Sequence, residues 1–258
     1  MADLVLVRPR VLLKQGMASD ASNLPEHVSA LRSEARNAPP LDDPVAASLR
    51  GFGPLGLLAI FLIVLTSVFK PLSAILVLVW AWRSHTPWRE IGYVRPKSWL
   101  GSLAVGIVFG CAFKLFMKVI VLPLLGAPAI NTAYHYLAGN RAALPGMVFT
   151  MIVGAGFAEE TLFRGYLFER LGKLFGTGAG AKVSIVLLTS ALFALGHYSN
   201  LGLPGVEQAM ITGLVFGTIF AITGRIWMVM CAHAAFDLSA VAIIYWNLEA
   251  AVAHLVFK

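Results

Sequence analysis

The stretch "AEETLFRG" at residues 158–165 sets Glu159, Glu160 and Arg164 inside a run otherwise apolar enough for lipid. On a helix, Glu160 and Arg164 are four apart with the acid nearer the N-terminus, the favourable order for an ion pair. Glu159 lies about 100° around the same helix and finds no counter-ion on it. A carboxylate without a partner in low dielectric is a candidate general base. "FALGH" places His197 near the end of another apolar run, and "HAAFD" places His233 and Asp237 four apart in a third. At that spacing a histidine and an aspartate share a hydrogen bond that fixes the imidazole tautomer, or present two ligands to a metal.

Taken singly, most of these groups have a packing explanation. Glu160 and Arg164 neutralise each other, as buried charges must. A lone His197 at a span end suits an interface, and His233 with Asp237 suits a helix contact. An intramembrane Glu159 is a functional candidate by default, and the four features together are hard to explain as packing. His85, His135 and His254 lie in loops or at the chain end and are read as bystanders. Phe157, Phe163, Phe168 and Phe193 at helical spacings are ordinary packing.

The elements that hold these groups follow from composition. Of 258 residues, 58% are hydrophobic and 13% charged, and the mean hydropathy is +0.78. That is an integral membrane protein, because a soluble domain uses charge about twice as often. Every backbone group in lipid must be satisfied internally, so the apolar runs are helices. The sequence therefore predicts an all-α fold, a polytopic transmembrane bundle of about six to eight membrane helices. The runs fall near 54–82, 99–122, 145–165, 182–197, 207–223 and 226–247. Residues 1–50 read as a cytosolic, mostly flexible N-terminal extension, and 51–258 as the membrane-embedded domain. "MADLVLVRPRVLLKQG" lacks the apolar core of a secretory signal. "GIVFG" (Gly106–Gly110) and "GLVFG" (Gly213–Gly217) carry small residues four apart, which lets helices approach closely.

The net charge of +7 sits in loops beside apolar runs. It signals membrane topology and anionic headgroups, with no nucleic-acid partner. Arg83, Arg89, Arg95 and Lys97 place their loop in the cytosol, as do Arg170, Lys173 and Lys182, and later Arg225. Residues 123–144 and "YSNLGLPGVEQ" fall outside as loops. The run 54–82 is left open, either one tilted span or a hairpin turned at Lys70-Pro71. Cys111 and Cys231 lie in apolar runs and read as small buried hydrophobes.

Depth adds a condition. If one helix runs unbroken from Leu144 to Lys173, Glu159 lies about 21 Å from its end, His197 about 22 Å beyond Lys182 and His233 about 12 Å beyond Arg225. The three then meet near mid-membrane, with Arg164, Glu169 and Arg170 expected to line a wet, cytosol-facing cavity. Other chemistries lack their signatures. There is no His-Glu-x-x-His and no Gly-x-Ser-x-Gly. "GTGAGAK" has Ala181 and Val183 where a phosphate loop needs Gly and Ser or Thr.

The three motifs, in this order on successive apolar segments, resemble the CPBP family of CAAX proteases and bacteriocin-processing proteins, also called Abi. The resemblance covers roughly residues 85–247 and includes "REIGYVRPKSW" before a span. It implies a CAAX-protease-like intramembrane endopeptidase acting on a membrane-associated, prenylated or precursor peptide or protein, in the plasma (inner) membrane. Glu159 is then the general base and His197 its partner on the water. His233 and Asp237 take the oxyanion side, and Glu160 with Arg164 supports the helix. The family's third motif ends in Asn or Asp, and its prototype carries Asn where this chain has Asp237. An ionised Asp cannot donate to an oxyanion, but it can orient His233 and support an imidazolium that does. A metal-dependent version would use His197, His233, Glu159 and Asp237 around zinc or another divalent ion. The set lacks a dedicated metal motif, so no cofactor is favoured. Two readings from other classes remain: a non-catalytic immunity or scaffold protein, and a transporter or proton relay.

Overall fold

The computed structural model describes residues 43–257, and every regular element among them is helical. The order is α1 (Pro44–Arg50), α2 (Pro54–Leu65), α3 (Lys70–Arg83), α4 (Trp99–Leu124), α5 (Leu144–Phe175), α6 (Ala179–Leu195), α7 (Tyr198–Thr223), α8 (Trp227–Tyr245) and α9 (Glu249–Ala253). Four of these, α4, α5, α7 and α8, are long and apolar enough to cross a membrane. A fifth candidate is the stretch Pro44–Val68, bent by 57°. This is fewer than the six to eight expected, because α6 has only 17 residues and the first apolar run is broken. Most of the expected extension, residues 1–42, lies outside the described residues. Its last part, 44–50, is helical.

The break in the first run settles the alternative left open above. After α2 comes a 3₁₀ turn, Thr66–Val68, in which the Thr66 hydroxyl bonds back to the carbonyls of Leu62 and Ile63. Phe69 then leaves helical geometry, and Pro71 sits in the first turn of α3, where its missing N–H is no loss. The result is a hairpin. Ile63 of α2 packs with Val77, Trp80 and Ala81 of α3, and the Trp80 indole donates to the Leu49 carbonyl at 3.1 Å. Arg170 of α5 donates to the carbonyls of Arg50 and Gly51 at 2.8 and 2.7 Å. The base of the hairpin is therefore level with Arg170. Its tip, Lys70, lies about 20 Å up α3 from Arg83, and Glu159 about 17 Å up α5 from Arg170. Tip and carboxylate meet at one depth.

Helix α5 runs unbroken from Leu144 to Phe175, as convergence of the three motifs requires. Over Thr150–Glu159 and Thr161–Leu167 it is π-helical, a wide-turn geometry that recurs at functional sites. Helix α7 corrects an expectation, since "YSNLGLPGVEQ" is helical rather than a loop. It is kinked at Gly202 (φ 62°, ψ −157°), just before Pro204. Helices α4 and α8 pack along their lengths. A Cβ on Gly110 would come within 2.1 Å of the Ala232 carbonyl oxygen, and one on Gly106 within 2.6 Å of the Cys231 Cβ. Only glycine permits this approach, and it fixes the height at which α8 presents His233.

Candidate active site

Each motif lies on its own helix, and the packing turns all of them inward. Helix α5 supplies Glu159, Glu160 and Arg164; α8 supplies His233 and Asp237; and His197 follows the C-terminus of α6. Glu160 is fully buried. Its Oε1 accepts from Arg164 Nη1 at 2.7 Å and from His233 Nδ1 at 2.6 Å. Arg164 also donates to the Gly213 carbonyl at 3.2 Å and lies over the rings of Phe193 and Phe216. The i, i+4 pair read from the sequence is therefore one side of a larger network that reaches three helices.

That network fixes the tautomer of His233. A carboxylate only accepts, so Nδ1 carries the proton and Nε2 faces the interior. Nε2 lies 3.6 Å from Glu159 Oε2 and 3.6 Å from Asp237 Oδ2. Asp237 is thus a neighbour of His233, as its spacing suggests, but the short bond goes to Glu160. Glu159 and Glu160 also do not point to unrelated places. The wide turn of α5 directs both toward the same ring, one at each nitrogen.

Glu159 is not without a partner. Its Oε1 is ion-paired with the ammonium of Lys70 at the hairpin tip. Sequence reasoning treated Lys70 only as a turn residue, because nothing in the spacing links 70 to 159. The available signal was a lysine inside an apolar run, which by default marks a site. His197 donates from Nδ1 to the Phe193 carbonyl at 2.8 Å, its own preceding turn, which leaves Nε2 as an acceptor. The Phe193 ring lies between the imidazoles, with centroids 4.6 Å from His197 and 5.8 Å from His233.

Lys70, Glu159, His197, His233 and Asp237 share the wall of one cavity of about 110 Å³. A water needs roughly 10–15 Å³ of such space, so a nucleophile fits beside a substrate group. The cavity runs past Ala155, Met151 and Met147 to the N-terminal end of α5, where Asn131 and Tyr134 close over it. This corrects the expectation of walls made by Arg164, Glu169 and Arg170. All three are buried in protein contacts, with Arg170 on the hairpin base and Glu169 paired with Lys173. In the loops, burial pushes the Tyr134 phenol up against the nearby Lys70 charge. Burial also pushes that of Tyr93 up to about 12. Tyr93 stays protonated and bonds to Thr161 of α5 at 2.7 Å, which ties the loop before α4 to the site helix. His135, read as a bystander, has a partner in Glu249 at 3.0 Å.

Among the described residues no three His, Cys, Asp or Glu side chains are arranged to hold an ion together. One nitrogen of His233 is held by Glu160, one oxygen of Glu159 by Lys70 and one nitrogen of His197 by its own helix, which leaves a single donor atom on each.

Carboxylates and imidazoles drawn from separate apolar helices to one buried cavity define a class: a multi-pass helical membrane protein with an intramembrane polar site. Residues 141–239 match the family model described as Type II CAAX prenyl endopeptidase Rce1-like, a model of the CPBP group. The match contains Glu159, Glu160, Arg164, His197, His233 and Asp237, whereas Lys70 precedes it. No curated protein and no solved structure matches the chain.

Proposed function

We propose that the protein is an intramembrane endopeptidase that hydrolyses a peptide bond of a membrane-associated substrate, using water activated by Glu159. The observation that carries this reading is the convergence of three free ring or carboxylate atoms on one cavity. These are Glu159 Oε2, His197 Nε2 and His233 Nε2. The family match supports the same class of activity and suggests lipid-modified CAAX-type chains as substrates.

In this mechanism Lys70 holds Glu159 ionised and occupies Oε1, so Oε2 takes the proton from water. His197 Nε2 accepts a hydrogen bond from the water's second O–H, which stays on the oxygen, and so aims its lone pair. The hydroxide adds to the scissile carbonyl carbon, and the developing oxyanion needs a donor. His233 provides it from Nε2 when protonated. Glu160 at Nδ1 and Asp237 beside Nε2 orient the ring and offset its charge. Glu159 then passes its proton to the leaving nitrogen as the C–N bond breaks, giving one acid and one amine. A general base is worth about 10²–10⁴-fold, and one oxyanion donor about 10²–10³-fold.

Sidedness also follows as a proposal. The basic loops put the Arg83, Lys173 and Lys182 end in the cytosol, and the cavity runs from Glu159 toward the other end of the bundle. We therefore replace the expected cytosol-facing site with one entered from the opposite face.

The test is cleavage of a labelled panel of membrane-anchored peptides by purified protein in nanodiscs, against Glu159→Gln. Loss of at least 10²-fold in kcat at unchanged expression and fold is expected. Full cleavage by Glu159→Gln overturns the reading.

A further inference from the structure

Helix α4 carries two lysines, Lys114 and Lys118, four apart on one face in the middle of an apolar span. They are only 6% and 8% exposed. Lys114 donates to the Gln208 side-chain oxygen at 3.0 Å and lies 4.7 Å from the Phe236 ring centre. Lys118 donates to the Ala129 carbonyl. Neither takes part in any ion pair among the described residues. Like charges at this spacing repel, and Asp237 and Glu249 act on them only from beyond ion-pair distance, which leaves two adjacent buried cations, a rare arrangement in membranes.

Both lysines line a second cavity of about 390 Å³. Lys114, Asn131, Leu201 and Gln208 stand in the walls of both cavities, so the second adjoins the catalytic one. Glu249, the carboxylate in its wall, is already engaged. Its Oε1 accepts from the Asn131 N–H at 2.7 Å, and its Oε2 faces His135. The remaining walls mix apolar side chains such as Leu122 and Ile243 with backbone of the loop before α5. The volume is near the lower end of the roughly 300–1,000 Å³ that holds a small ligand. It takes a short peptide end rather than a chain passing through.

We propose that this cavity is a carboxylate subsite, in which Lys114 and Lys118 bind the free C-terminal carboxylate of the substrate and so place the scissile bond a few residues from the chain end. The proposal rests on the endopeptidase reading for its substrate and names the recognition element that the family match does not contain. The paired cations would then be specificity-determining residues, complete only when the anion is bound.

The test compares peptides of one sequence ending as free acid, as amide, or extended by several residues, with the full chain in phosphatidylcholine nanodiscs. The free acid should show a KM at least tenfold lower than the other two at similar kcat. In Lys118→Met and Lys114→Met the acid-to-amide ratio should fall toward one, and Lys118→Arg should restore it. Equal cleavage of acid and amide by wild type, still dependent on Glu159, overturns the subsite and leaves the endopeptidase reading standing. So does a loss in the variants that is alike for both peptides, which marks a structural role. A parallel arm measures equilibrium binding of the short product acid and its amide. Lysine-dependent preference for the acid without any cleavage keeps the subsite and sinks the endopeptidase reading, and no preference in either arm sinks both. Competition of the peptide by phosphatidylglycerol, with no acid preference, would assign the lysines to a lipid phosphate and overturn the proposal.

Discussion

Lys70 and Glu159 form an ion pair between the tip of a membrane hairpin and the middle of the longest helix. In the proposed mechanism the hairpin therefore has a chemical task. Lys70→Met should lower kcat by at least about tenfold, while Lys70→Arg should keep part of it, since a general base contributes 10²–10⁴-fold. Because a lone buried carboxylate is left behind, Lys70→Met should also lower the melting temperature. Adding Glu159→Gln should recover part of that loss. Thermal unfolding of the two singles and the double in detergent checks the coupling, and additive losses would deny it.

Glu160 joins Arg164 to His233 through a single oxygen. Glu160→Gln should therefore hurt stability and activity together. Breaking a buried pair costs about 3–5 kcal/mol, and the His233 tautomer loses its anchor. Arg164→Lys should be nearly as harmful, because an ammonium cannot reach Glu160 and the Gly213 carbonyl in one fork while lying over two rings. Chemical denaturation with parallel activity assays separates these variants from surface controls.

Gly110 sets the height of α8. Gly110→Ala forces its Cβ against the Ala232 carbonyl oxygen and should cost about 1–3 kcal/mol as overpacking. His233 follows Ala232 directly, so kcat should fall more than stability predicts. A variant that melts lower but keeps wild-type kcat would argue that α8 adjusts without moving the ring.

The proposed sidedness is open to labelling. With Cys111 and Cys231 replaced by alanine, Ala142→Cys should react with a membrane-impermeant maleimide in intact cells. Gly178→Cys should react only after permeabilisation. The reverse pattern would restore a cytosol-facing site.

Cleavage should persist in excess chelator, because the proposed water activation runs from Glu159, paired with the Lys70 ammonium, and calls for no ion. Activity lost on chelation and regained with zinc would mean the same side chains rearrange around an ion, and the water route described here would fail.

Much of this site was legible in the chain itself. Composition dictated membrane helices, because a backbone in lipid has few alternatives. The four-residue spacing of Glu160 and Arg164 dictated their pair, because helical period alone brings them together. The requirement that α5 reach Lys173 followed from rise per residue. The partners of Glu159 and His233 did not follow. Which carboxylate reaches which ring nitrogen depends on the rotation and height of α5 against α8, set by contacts such as Gly110 on Ala232. Lys70 reaches Glu159 only because Thr66–Phe69 turns the chain back and Arg170 anchors the hairpin base. The direction of the cavity likewise depends on which polar groups the packing leaves facing space. Interactions within one helix are fixed by its geometry, whereas those between helices exist only once several weak packing preferences have been satisfied together.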